Sequence, residues 1–314
     1  MTITLYNGQH EQTTDAMVAG FEKATGITVL VRNDDEDTLA DEIVTEGSRS
    51  PADIIYTENS PVLEYLQERG LLAPVEPSTL ALTPSRYDSS QGDWVGVSAR
   101  VSVLIYNPAL ISEDQLPSAV LQLADPRYRG ELAVAPGETD FQPIVTSVLR
   151  SEGQSAALRW LQGVRTNAAD HVYPDDETIA SEVNQGAVAF GVVNQYYWYR
   201  MQAEIGAGHM HSAIAYFAPG DLGYVIDVSG AAVLRSSKQR AAAEALAAYL
   251  VSVAGQETIA NPKQSTSYEY PIGSGVVTRA PETPLSQLQP CPLTVAELGD
   301  GQSAVTLLRQ AGLL

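Results

Sequence analysis

Along the first 75 residues the apolar positions switch repeatedly between a two-residue period and a helical one. Ile3-Thr4-Leu5-Tyr6 predicts a strand, and Gln12 to Thr25 predicts a helix with Met17 and Phe21 four apart on one face. Gly26 stops that helix, and Ile27-Thr28-Val29-Leu30-Val31 predicts a second strand. Leu39 to Glu46 predicts a helix, Ala52-Asp53-Ile54-Ile55-Tyr56 a third strand, and Pro61 to Arg69 a helix closed by Gly70. Strands and helices in turn imply a mostly parallel sheet with helices on its faces. The acidic run Asp34-Asp35-Glu36-Asp37 precedes a helix, where carboxylates cap and complement the dipole, and reads as structural.

A second set follows. Trp94 to Tyr106 is a long β-rich run, and Glu131 to Ala135 a strand ending at Pro136-Gly137. Phe141 to Gly163 holds two helical patterns, and Thr178 to Val183 a short one. The strand Val188 to Val193 leads to Asn194-Gln195-Tyr196-Tyr197-Trp198, with a helix-like stretch from Trp198 to Ile205. Gly223 to Leu234 is a second long β-rich run; the alanine-rich helix Lys238 to Val253 and a terminal helix, Ser303 to Ala311, follow. Two β-rich runs, each long enough to cross between lobes, predict a hinged, two-lobed α/β protein with a cleft.

Composition narrows the partners. A formal charge of −20, from 38 acids against 18 bases, argues against nucleic acid or an anionic membrane, both of which demand a basic face. The apolar stretches fall short of the roughly 20 residues that a membrane-spanning helix requires. The single cysteine, Cys291, excludes an intramolecular disulfide and a CxxC site. Met1 runs directly into a predicted strand, so either a cytosolic protein or one whose export signal has been removed is expected.

Tyr196 and Tyr197 are the most informative residues. Two adjacent phenols must both find polar partners if buried, and together they suit a hard trivalent cation. Neighbours on a regular strand point to opposite faces, so the pair can serve one site only where the strand ends, on a strand-to-helix turn. In the first set of strands, Asn7-Gly8-Gln9-His10 and Thr57-Glu58-Asn59 follow the carboxyl ends of the first and third strands, the usual ligand side of a parallel sheet. Cleft closure would unite His10, Glu58, Tyr196 and Tyr197. An aromatic pair at a lobe edge, a histidine at a helix start and a solvated loop carboxylate are the plainer readings of each alone.

Five segments carry a resemblance: Tyr6-Asn7-Gly8-Gln9-His10, Glu46-Gly47-Ser48-Arg49-Ser50-Pro51-Ala52-Asp53, Asn194-Gln195-Tyr196-Tyr197-Trp198, Ser229-Gly230-Ala231-Ala232-Val233-Leu234 and Tyr268-Glu269-Tyr270-Pro271. In content and order the chain resembles the ferric-ion-binding proteins of bacterial ABC importers, sometimes called bacterial transferrins. The resemblance implies a type II periplasmic-binding-protein fold, each lobe a mixed, mostly parallel sheet flanked by helices and joined to the other by two hinge strands. It implies an N-terminal lobe of residues 1–100 and 228–278 and a C-terminal lobe of 101–227 and 279–314. It also implies Fe(III) held at His10, Glu58, Tyr196 and Tyr197, an ABC permease as partner, and an exported monomer, periplasmic or attached to the outer face of the cytoplasmic membrane. The chemistry agrees: Glu58 and two tyrosinates supply −3 against the +3 of the ion, and four ligands leave about two octahedral positions open.

The chain departs from the pattern where many relatives hold a phosphate in a Ser-Gly-Ala turn. The matching segment contains Glu138, Thr139 and Asp140, and Asp176 stands where an asparagine often assists the anion. Carboxylates around a phosphate would repel it by about 4 kcal/mol per close pair at an effective dielectric of 20. Helix-start donors offset part of that, and Arg100 and Asn194 also fall at matching positions. The expectation is that no synergistic phosphate binds, and that water or an internal carboxylate, Glu138 or Asp140, takes its place; the plainer alternative is that these carboxylates cap the helix beginning near Phe141. The competing functions are a binding protein for another small solute and a carboxylate-based hydrolase, although no Gly-x-Ser-x-Gly or His-Glu-x-x-His motif occurs. His209-Met210-His211 fits no standard metal spacing and reads as a loop-to-strand junction.

Overall fold

The computed structural model describes residues 1–314. Its nine strands are β1 (Thr2–Asn7), β2 (Thr28–Asn33), β3 (Ile54–Thr57), β4 (Val95–Tyr106), β5 (Leu132–Ala133), β6 (Phe190–Asn194), β7 (Ala213–Ala215), β8 (Ile226–Val233) and β9 (Tyr270–Pro271). The chain forms two compact units: Met1–Arg100, Asp227–Leu288 and Thr294–Asp300 in the first, and Val101–Ile226, Gln289–Leu293 and Gly301–Leu314 in the second.

In the first unit β1 runs parallel to β2 on one side and to β3 on the other, and β8 pairs antiparallel with β3. The helix Glu11–Thr25 returns the chain from β1 to β2, ended by Gly26 in the left-handed region at φ 71°. Its inward stripe of Met17, Val18 and Phe21 packs with Ile3, Leu5, Val29 and Ile54 of the sheet and with Leu246 and Leu250. The alanine-rich helix spans Arg240–Val251, close to its expected limits, and a further helix not expected from the sequence, Val253–Ala260, follows it at Ser252, which accepts a hydrogen bond from the Gly255 amide. β9 pairs antiparallel with the first half of β4, setting Ser98 opposite Pro271 and Ala99 opposite Tyr270.

The second unit is built on β6, which lies antiparallel to the second half of β4 and parallel to β5; β7 also pairs with β4. The helices Gln142–Glu152, Gln154–Ala168 and Gln302–Ala311 pack on one another. Phe141 stacks on Trp160, and Tyr128 meets Phe190 edge-on.

The units differ from the expected domain limits at Asp227 and in the segment after residue 278. Residues 279–288 and 294–300 belong to the first unit, not the second. The Arg279 amide donates to the Ala260 carbonyl, the Arg279 guanidinium pairs with Glu257, and the short helix Val295–Leu298 buries Val295 and Leu298 against the helix Ser60–Glu68.

Phe21 is wholly buried and meets Tyr249 edge-on. Phe21→Ala is expected to lower the unfolding free energy of the first unit by about 3–5 kcal/mol, read from urea denaturation.

Candidate functional site

Two adjacent parallel strands of the first unit deliver His10 and Glu58 to one place. β1 ends at Asn7 and β3 at Thr57, and Asn7 is in register with Tyr56. Asn7 Oδ1 accepts from the Gln9 amide and from Thr14 Oγ1, while its Nδ2 donates to the Gln9 carbonyl. This ties the turn Gly8-Gln9-His10 to the helix that begins at Glu11. His10 Nε2 lies 3.0 Å from Glu58 Oε1, and both side chains retain limited exposure, 16% and 13%.

The backbone under Glu58 is clamped from two directions. Glu36 is buried, and its Oε2 accepts from the amides of Glu58 (2.7 Å) and Asn59 (3.0 Å). The helix of the acidic run starts at Glu36, with Asp35 before it making no side-chain cap. Glu36 therefore reaches away from its own helix to the loop before Ser60–Glu68, which corrects the reading of the acidic run as caps alone. Gly8 makes that reach possible: a Cβ there would stand 2.5 Å from the Glu36 Cβ and 2.8 Å from its Cα. From the other side Arg100, with no exposed surface, donates to the Glu58 carbonyl and lies 3.5 Å from Glu58 Oε1 and 3.1 Å from Glu269 Oε2.

Around these groups sit Gln9, Ser98, Ser229 and Tyr56. Gln9 Oε1 accepts from the His10 amide, and its Nε2 donates to Ser229 Oγ and Glu269 Oε2. Burial, and then the charge of Glu269, holds the Tyr56 phenol well above its ordinary range, so Tyr56 stays a neutral phenol there.

The second unit holds the tyrosines. The helix starts at Gln195, three residues before the expected Trp198, so both phenols lie in its first turn. Gln195 is fully buried and anchors that turn by accepting from the Val101 amide. Successive residues on a helix are about 100° apart, so adjacent side chains diverge less than on a strand. The two rings are 4.3 Å apart between centroids. Tyr196 Oη donates to Asp140 Oδ2 at 3.0 Å, and the buried Arg200 guanidinium lies 4.5 Å from the Tyr196 ring centroid and 5.9 Å from that of Tyr197.

Of the expected anion-site positions, Asp140, Asp176 and Asn194 are buried in the second unit, and Glu138 and Thr139 are half-buried there. Asn194 lies opposite Ser102 in the β4–β6 ladder, and Asp176 opens the helix Asp176–Gln185. Asp140 accepts from the Tyr196 phenol, and neither Glu138 nor Phe141, which precede the two helical turns there, makes a side-chain cap. Arg100 belongs to the first unit, where its described partners are Glu58, Asn59 and Glu269. His209 and His211 flank a turn whose backbone is held by Asn184. Glu36, Glu269 and Arg200 escaped sequence reasoning as site residues. Glu269 lay in a matched segment, and Arg200 lies one helical turn beyond Tyr196.

The model for bacterial extracellular solute-binding proteins matches residues 49–284. The chain belongs to that family. The family is one of solute-binding transport proteins, not enzymes, which removes the hydrolase alternative. The chain is 37% identical over 312 residues to the Fe(3+)-binding periplasmic protein of Serratia marcescens, spanning 99% of this chain and 90% of that one. It is 33% identical to the major ferric iron-binding protein of Neisseria meningitidis serogroup A over 313 residues, spanning 99% and 93%. Among solved structures, iron-bound HitA from Pseudomonas aeruginosa matches with a TM-score of 0.94 and 40% identity over 99% of both chains. A Trichodesmium protein in complex with iron and citrate ligands matches at 0.86 and 25% identity over the whole of both. The mixed α/β architecture is that of type II periplasmic binding proteins.

Gly8→Ala is expected to cost about 1–3 kcal/mol, because the collision is with the root of Glu36 and not with a mobile tip. Thermal or urea unfolding measures the loss.

Proposed function

We propose that this protein captures Fe(III) outside the cytoplasm and delivers it to an ABC permease. His10 and Glu58 from one unit and Tyr196 and Tyr197 from the other would coordinate a single ferric ion. The observation that carries this reading is the pairing of donor types with ancestry. An imidazole and a carboxylate lie 3.0 Å apart in one unit and two phenols share a helical turn in the other, in a chain 37% identical to a protein named for Fe(3+) binding.

Three anionic oxygens and a neutral imidazole match the charge of Fe(III) and its preference for hard donors. Each ligand must be deprotonated to bind, so loading releases protons and the affinity falls as pH falls. Asp140 already accepts the hydrogen of Tyr196, which supports an internal carboxylate beside the metal in place of a phosphate. Glu138, Asp140 and Asp176 in the same unit act against an added anion by repulsion. The remaining coordination positions are then filled by water or by Glu138 or Asp140, with Asn194 and Thr139 as neutral neighbours. Capture outside the cytoplasm and a monomeric state complete the reading.

Titration of metal-free protein with ferric citrate is expected to give a coloured phenolate-to-iron band at one equivalent. Tyr196→Phe should weaken the band and lower the affinity beyond the roughly 100-fold that changes behind the ligands cause. A colourless titration without heat would refute the function. Phosphate analysis of the loaded protein is expected to find none; one phosphate per iron would refute the internal-carboxylate assignment.

A further inference from the structure

Glu269 lies far from both proposed ligands in sequence and makes contacts that bear on each. Its side chain is fully buried, and one oxygen, Oε2, gathers Ser98 Oγ, Gln9 Nε2 at 3.4 Å and Arg100 Nη2 at 3.1 Å. Gln9 in turn holds the His10 amide at 2.7 Å, and Arg100 holds the Glu58 carbonyl. One carboxylate thus stands behind the turn that carries the imidazole and behind the loop that carries the ligand carboxylate.

The charges give it a sharper role. A guanidinium with no exposed surface requires a counter-charge close by, since an uncompensated buried ion is strongly unfavourable. Arg100 has two carboxylates near it: Glu269 Oε2 at 3.1 Å, wholly buried, and Glu58 Oε1 at 3.5 Å, partly exposed beside His10. The nearer, drier carboxylate takes the larger share of the charge, because electrostatic attraction strengthens as water is excluded.

We infer that Glu269 is a positioning residue for cargo binding: it neutralises Arg100, leaves the Glu58 carboxylate available to a cation, and sets His10 through Gln9. The inference rests on the ferric reading above. Without the charge on Glu269, Arg100 draws Glu58 into a buried ion pair that competes with the metal.

The test is ferric citrate titration of wild-type protein, Glu269→Gln, Arg100→Gln and Arg100→Gln/Glu269→Gln, reading affinity by citrate competition together with the phenolate-to-iron band. Glu269→Gln is expected to bind iron roughly 10–100-fold more weakly, the usual effect of removing a group behind a ligand. Its band at saturating iron should be retained, because both tyrosines are untouched. The double variant should bind more tightly than Glu269→Gln alone, a non-additive recovery that a merely structural loss would not produce. Equal affinity of wild type and Glu269→Gln, or a double variant no tighter than Glu269→Gln, overturns the inference. No band in wild type refutes the ferric reading and this inference with it, whereas a normal wild-type band beside an unaffected Glu269→Gln refutes the inference alone. Should Glu269→Gln fail to fold, Ser98→Ala decides. It strips one donor from the same oxygen without stranding a charge, and is expected to weaken binding several-fold; unchanged affinity overturns the inference.

Discussion

The guanidinium of Arg100 is the constraint around which the first unit's site is arranged. It has no contact with solvent, so its charge must be met inside the protein, and the side chains that meet it are those on which two loops depend. Burial of an arginine is costly unless its charge is paired. Here it is used on a main-chain carbonyl, on an asparagine oxygen and on two carboxylates, which turns an expensive group into a fixed reference point. The loop after β3 is held on one face by this cation and on the other by the Glu36 anion, and its position is defined by opposite charges acting on opposite sides.

The two units order their candidate side chains by different means. In the first, side-chain amides and carboxylates lock the turns that follow two parallel strands. In the second, a helix start supplies the order: Gln195 is bound into the strand beside it, and the phenols project from the turn it secures. Arg200 closes the back of that turn by lying over the tyrosine rings, an arrangement in which a cation meets the electron-rich faces of aromatic groups. Under the proposed function, supports of both kinds would reduce the reorganisation needed to meet a cation.

Much of this was legible in the sequence. Alternation between two-residue and helical periods located every long element, because burial of one face per element dictates that pattern. The ends of β1 and β3 were also readable, and adjacency of those parallel strands brings His10 and Glu58 together. The failures share a cause. Glu36 begins its helix three residues before the expected Leu39, and the helix Val253–Ala260, capped by Ser252, goes unexpected, because hydrophobic periodicity is blind to polar side chains that cap or turn inward. Glu269 was missed as a member of the site for a related reason: its partners Gln9, Ser98 and Arg100 lie more than 150 residues away in the chain, and a local pattern holds no trace of them, whereas Arg200 lies one helical turn from Tyr196 and was within reach of a helical-spacing argument.

The discontinuity of the first unit has a consequence for how the molecule is made. Thr57 contacts Gly230 across 173 residues, and Ser98 contacts Glu269 across 171, with the whole of 101–226 lying between. Contacts so remote in the chain carry a large loop-closure cost and slow the search for the native state. During synthesis the stretch 101–226 is complete while the first unit still lacks β8, β9 and the acid that neutralises Arg100. Most of the second unit's chain is therefore available early, but its helix Gln302–Ala311, which buries Leu307 and Leu308, emerges last, so neither unit is complete until nearly the entire polypeptide has emerged.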